Sequence, residues 1–280
     1  MEIPFIKMHG IGNDYVYING FEYDIAQIEN LENLAKSISD RHFGIGGDGM
    51  VLILPSEEHD VRMRIFNPDG SEAEMCGNAV RCVGGYCHNH GIVDKEEFSV
   101  ETLAGRIGIK ILDNGLIQVD MGTPITKPED VPVTLDGDII IEHPIKTDLF
   151  EGKFTAVSMG NPHAVYFMDE IEDLDLEKIG PGLEHHKYFP NRVNSEFIKV
   201  ISPNEVEFRV WERGAGETLA CGTGASAALI AGNLTDRMEK EVLFHLRGGD
   251  LTMKTNEKLD KVWKIGPYEE VATGTYFYNK

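Results

Sequence analysis

Two of the four cysteines stand directly before a glycine, Cys76 in "EMCGNAVRC" and Cys221 in "LACGTGASAA". Each follows a strand-like alternation and a turn, and each opens a Pro-free run that reads as a helix, so both cysteines are expected at helix N-termini. The first turn of a helix carries N–H groups without intrahelical partners and a partial positive charge; it binds anions and favours thiolate over thiol. Gly77 and Gly222 let a ligand come close to the backbone, and Asn78 and Thr223 extend the two sets of N–H donors. A single cysteine in apolar surroundings is ordinarily an inert packing residue. Two in equivalent settings point instead to a paired site. Cys82 and Cys87 fall on the far side of the first helix and read as core thiols. No two cysteines have the two-residue gap of a zinc knuckle, so no metal is assigned.

The elements that position these thiols form an internal repeat. At an offset of 145 residues "VRMRIFNPDGSEAEMCGN" lies over "VEFRVWERGAGETLACGT" without a gap. Val61/Val206, Arg64/Arg209, Glu72/Glu217, Cys76/Cys221 and Gly77/Gly222 are identical, five of eighteen positions, where average usage gives roughly one. Val61, Met63 and Ile65 alternate with Arg62 and Arg64, as Val206, Phe208 and Val210 alternate with Glu207 and Arg209, the period of a strand with one buried face. "NPDGS" and "ERGAG" supply the turns. The run Ala225 to Ala231 is apolar on nearly every side, with Gly232 and Asn233 as its stop signal; Arg81 makes the first helix more polar, leaving Ala79, Val80 and Val83 as its core face. A period of half a chain implies two similar domains. Packed about a pseudo-two-fold axis, they would set the thiols facing each other across a cleft.

Composition narrows the partners. With 280 residues, 41% of them hydrophobic, the chain can bury one large or two medium cores. A formal net charge of −21 argues against nucleic acid and anionic membrane surfaces. There is no basic leader with an apolar run and no stretch of roughly 18 apolar residues, so a cytoplasmic location is expected. Four cysteines in a chain of this length make free thiols rather than a disulfide framework.

"KMHGIGNDY", "FNPDGSEAEMCGN", "VSMGNPHAV", "RVNSEF", "WERGAGETLACGTGASA" and "RGGDL" resemble, in order and spacing, the signature segments of diaminopimelate epimerase, from Lys7 to about Leu251. The resemblance implies an α/β (α+β) fold of two pseudo-symmetric domains, each a barrel-like mixed sheet around a central helix, with the active site in the cleft. It implies halves of 1–121 plus 268–280, carrying Cys76, and 122–267, carrying Cys221, with the segment from about Val271 to Lys280 returning as a strand to the first half. The implied reaction interconverts LL- and meso-diaminopimelate, a step toward lysine and peptidoglycan, without pyridoxal phosphate, metal or nicotinamide. A homodimer is left open.

Inverting an α-carbon means removing a proton from one face and delivering one to the other, which suits a thiolate and a thiol on opposite sides. With no cofactor ring to spread the carbanion charge, fixed donors must stabilise the carboxylate, and N–H groups of Gly77, Asn78, Gly222 and Thr223 can do so. By resemblance Asn13, Asn67, Asn161 and Asn194 bind substrate through their amides, Glu212 and Arg213 bind ammonium and carboxylate, and His163 and Glu212 tune the thiols. Without that resemblance the asparagines read as turn residues, Arg213 as a solvated loop charge and His163 as structural. Two departures from the family pattern stand out: Gly49 follows Asp48 where Gln is usual, and Ala79 stands where Gly is common. Three other functions compete: a proline or hydroxyproline racemase, a thiol redox or metal-binding protein, and a noncatalytic amino-acid receptor.

Overall fold

The computed structural model describes residues 1–279; Lys280, the end of the expected closing strand, lies outside them. The chain divides into two compact units, Met1–Val119 together with the segment that starts at Gly266, and Asp120–Ile265.

In the first unit the strands are β1 (Glu2–Gly10), β2 (Asn13–Asn19), β3 (Met50–Leu54), β4 (Val61–Phe66), β5 (Glu72–Ala73), β6 (Glu97–Thr102), β7 (Gly105–Ile111) and β8 (Ile117–Gly122). Most neighbours run antiparallel, but β2 with β3 and β4 with β6 are parallel, so the sheet is mixed. Helix α1 (Leu31–Ser39) starts where the Asn30 side chain accepts from the Asn33 N–H at 2.8 Å, satisfying one of the unpaired first-turn donors. Helix α2 (Gly77–Asn89) is buried from Asn78 to Cys87 and lies against β1, β2 and β7. In β4 the expected alternation holds: Val61, Met63 and Ile65 are buried while Arg62 and Arg64 are half-buried.

The second unit contains β9 (His143–Lys146), β10 (Glu151–Ser158), β11 (Pro162–Phe167), β12 (Asn194–Ser202), β13 (Glu205–Glu212), β14 (Gly216–Glu217), β15 (Glu241–Leu246), β16 (Gly249–Thr255) and β17 (Val262–Gly266). Parallel pairs β11 with β12 and β13 with β15 interrupt an otherwise antiparallel order. Phe154, Tyr166, Phe197 and Trp211 fill its core beneath α3 (Leu176–Glu184). Helix α4 (Gly222–Leu234) is buried from Gly224 to Gly232 and touches β10, β11, β12 and β16. A last strand, β18 (Glu269–Phe277), pairs with β1 in the first unit. The class is mixed α/β, mostly sheet, with four α-helices among the described residues. None of these helices is long and apolar enough to cross a membrane.

The repeat is structural as well as sequential. β4, β5 and α2 correspond to β13, β14 and α4, and both helices span thirteen residues, starting and ending at the same 145-residue offset. The identical arginine and glutamate bridge the strands in both: Arg64 Nε to Glu72 Oε1 at 2.8 Å and Arg209 Nε to Glu217 Oε1 at 2.9 Å. Two sequence expectations need correcting. α4 continues through Gly232 and Asn233, because Gly232 serves a close approach: a Cβ there would meet Met238 Sδ at 2.4 Å. Arg81 is not a polar face of α2 but fully buried, its Nε donating to Pro267 O at 2.7 Å and its Nη1 to Asn78 Oδ1 at 3.1 Å.

Candidate active site

Cys76 is the residue that precedes α2, in extended conformation, and no side chain caps the helix there. Its Sγ donates to Asn13 Oδ1 at 3.3 Å. Asn13 is oriented from behind: its Nδ2 donates to Asp48 Oδ2 at 2.8 Å, which turns the amide oxygen to the sulfur. Arg41 in turn grips Asp48 at 2.8 Å and Asp14 at 2.7 Å, so β1–β2 and the loop before β3 fix one amide. Tyr15 lies close by; burial first, and then Cys76, push its phenol above its ordinary value. Burial pushes the Arg81 guanidinium down, and Cys82 and Cys76 act against that shift; an arginine remains a cation nonetheless. Asn78 is buried and spends its side-chain oxygen on Arg81. Asn67 stays within its own turn, its Nδ2 donating to Ser71 Oγ at 3.0 Å, and makes no bond to Cys76.

Gly49, the departure from the family pattern, has φ +152°, and a Cβ there would lie 2.2 Å from Phe66 O and 2.9 Å from the Tyr15 ring. No glutamine could occupy this backbone. Ala79 is fully buried in α2, so its methyl group faces the core.

Cys221 holds the same place before α4, 4% exposed, with Sγ accepting from Gly224 N at 3.3 Å and contacting Thr223 Oγ1 at 3.5 Å. Burial pushes this thiol well above its ordinary value, the charges of Glu212 and Glu196 push further, and the Thr223 hydroxyl and Gly224 N–H oppose them. At Cys221 desolvation and two carboxylates therefore work against the thiolate that the helix terminus favours. From Thr223 a chain of contacts runs inward. Asn161 Nδ2 meets Thr223 Oγ1 at 3.4 Å, Asn161 Oδ1 meets His163 Nε2 at 2.9 Å, and His163 Nδ1 meets Glu196 Oε1 at 2.7 Å. Asn194 is buried and braces a loop, donating to Pro162 O at 2.8 Å while accepting from the Arg213 backbone N–H at 2.9 Å. Arg213 itself is exposed, its Nη1 donating to Asn191 O at 3.0 Å. Glu212 closes β13 and accepts a short hydrogen bond from the Thr218 hydroxyl.

Within the second unit the structure thus brings Cys221, Gly222, Thr223, Asn161 and His163 together, with Glu212 acting on the thiol by charge. In the first it brings together Cys76, Asn13 and the Gly77–Asn78 terminus, leaving Asn67 in its turn. Two charged residues, Glu196 and Lys264, escaped the sequence reading, and Arg81 was read as a polar position; all three are fully buried. Lys264 packs against the α4 terminus, where a Cβ on Gly222 would meet its Nζ at 2.6 Å. Pattern reading assigns charges to solvent. The only available signal was that Glu196 and Arg81 sit inside the quoted motifs "RVNSEF" and "CGNAVRC".

A family model described as diaminopimelate epimerase matches residues 5–127 and 155–271. A diaminopimelate epimerase of Acetivibrio thermocellus is 52% identical over 99% of both chains. Among solved structures, a phenazine biosynthesis protein of the PhzF family from Bacillus anthracis superposes with a TM-score of 0.71 at 15% identity, over 99% of this chain and all of that one. A hydroxyproline epimerase from Agrobacterium vitis gives 0.64 at 15% identity, over 98% of this chain and 90% of that one. At such identity these two establish a shared fold.

Proposed function

The chain belongs to the diaminopimelate epimerase family of isomerases, and on that premise we propose that it interconverts LL- and meso-diaminopimelate by proton transfer between Cys76 and Cys221. The observation that carries this reading is that both thiols stand at the same point of a repeated strand–turn–helix unit, each just before a helix. Two bases of like kind are what inversion at one carbon asks for.

The roles follow from the surroundings. Cys221, buried beside two carboxylates, starts as the thiol. Cys76, whose thiol donates to Asn13 Oδ1, takes the complementary part once that proton has passed to solvent: as thiolate it removes the α-hydrogen as a proton and leaves the electron pair on the α-carbon and its carboxylate. Cys221 delivers its proton to the opposite face and becomes thiolate, and the reverse reaction exchanges the roles. N–H groups of Gly77, Asn78, Gly222 and Thr223 at the two helix ends stabilise the developing carboxylate charge. Arg213 offers a two-pronged donor for a second carboxylate, and Glu212 an acceptor for ammonium. Asn13 and Asn161 orient the reacting end, while Asn67 and Asn194 shape the loops around it. The scheme asks for no cofactor, and it suits a reducing cytoplasm that keeps both thiols free.

The test is chiral chromatography of LL-diaminopimelate incubated with the pure protein alone, expected to yield the meso form. Cys76→Ala and Cys221→Ala should each abolish conversion with circular dichroism unchanged; a single variant that stays active removes its residue from the scheme.

A further inference from the structure

Glu196 has no role in the reaction as described, yet its surroundings determine where a proton sits. Glu196 and His163 are both fully buried on adjacent parallel strands, β12 and β11. Asn161 turns its Nδ2 to Thr223, so its carbonyl oxygen faces His163 Nε2 at 2.9 Å. A carbonyl only accepts, which places a hydrogen on Nε2. On the other side of the ring Nδ1 lies 2.7 Å from Glu196 Oε1. A bare nitrogen lone pair and a carboxylate oxygen would repel at that distance, so one more proton lies there. It can rest on nitrogen, giving imidazolium and carboxylate, or on oxygen, giving imidazole and carboxylic acid. The proton count is the same, and the pair is neutral overall.

Burial supports this count. Glu196 Oε2 is buried without a hydrogen-bond partner, a setting that strongly disfavours an isolated anion. Burial raises the affinity of Glu196 for a proton, His163 opposes this, and Glu212 adds to it. His163 from β11 contacts the carboxyl, and Tyr166 from β11, Glu212 from β13 and Cys221 at the head of α4 are electrostatically linked to it. Lys264 from β17 packs against the same helix end. Glu196 Oε1 and Cys221 Sγ lie 2.8 and 3.2 Å from one point, the place a Cβ on Gly224 would take. An unneutralised carboxylate here would oppose every ionisation of Cys221.

We propose that Glu196 is a positioning residue for the Cys221 half of the site: Glu196 and His163 hold one proton between them, which locks His163 with its Nε2–H toward Asn161 and so fixes Asn161 and Thr223. The activity arm of its test rests on the epimerase reading, while the spectroscopic arm does not.

In protein labelled with ¹⁵N-histidine, with the His163 signals assigned by their loss in His163→Gln, Nε2 should be protonated throughout the neutral range. A spectrum with Nε2 bare and hydrogen on Nδ1 alone overturns the proposal whether or not the protein epimerises anything. Glu196→Gln keeps the shape but cannot share a proton; kcat should fall about a hundred-fold with KM little changed. Its alkaline limb should hold its place, because the pair is neutral before and after the change and Glu212 still acts on the Cys221 thiol. Glu196→Asp, which keeps a carboxyl, should recover part of kcat. A Gln variant with wild-type kcat overturns the assignment; if that variant fails to fold, the histidine spectrum of the wild-type protein decides.

Discussion

Burial acts on thiols in two ways here. Cys221 is desolvated beside carboxylates and bonded by Thr223 and Gly224, so its proton can be traded with a substrate. Cys87, deep in α2, has desolvation as its one influence, which pushes it up to about 12. That thiol carries a stability signature. An unfolded cysteine releases its proton near about 8.5, while folded Cys87 keeps it, so above that pH the unfolded chain binds fewer protons and stability falls as pH rises. The stability is intact below about 8.5 and is lost progressively toward 12. Replacing Cys87 by Ala should lower stability at neutral pH through the lost packing, and should make the decline above pH 9 shallower by up to about 1.4 kcal/mol per pH unit. Urea midpoints at several pH values would measure this. Equal slopes in the two proteins would mean the thiol ionises in place.

At the scale of elements the repeated unit offers an internal comparison, because one ion pair occurs in both copies at different depths. Arg64 and Glu72 are 28% and 26% exposed, whereas Arg209 and Glu217 are 5% and 14% exposed. Arg209 also donates to the backbone oxygens of Ile171 and Glu172, and Glu217 takes a second partner in Arg247. Glu72→Ala should therefore cost about 1 kcal/mol or less. Glu217→Ala strands a buried guanidinium and should cost about 3 kcal/mol. Denaturation midpoints of the two variants check the order; equal losses would show that depth does not matter at this strand pair. The five identities of the repeat made β4, β13 and the two helix starts legible, since alternation and a Cys-Gly step are local signals. The meaning of Arg64/Arg209 and Glu72/Glu217 was not legible, because a cross-strand bridge depends on pairing that no local pattern encodes. For the same reason the burial of Arg81, Glu196 and Lys264 was not legible: partners distant in sequence enclose such residues, as Pro267 does Arg81 and His163 does Glu196. Of the asparagines read as ligands, Asn13 and Asn161 lie in the thiol networks, and Asn67 keeps the turn role its local sequence favours.

For the whole molecule, the reaction proposed requires one thiol from each unit to serve a single carbon, and isotope labelling exposes that requirement. A thiolate that takes the α-hydrogen holds it as S–H, and on collapse can only return it to the face it came from. The epimer arises when the other thiol, already exchanged with solvent, delivers its hydrogen to the opposite face. In D₂O the meso product should then carry deuterium at the inverted carbon from the first turnovers, while recovered LL substrate stays largely unlabelled. A single base swinging between faces would carry the original hydrogen across, at least in part, and would label substrate and product alike as it exchanged. Mass spectrometry of both epimers at low conversion separates these cases. Product that retains its original hydrogen would remove Cys76 and Cys221 as a complementary pair, however similar their places in the two units.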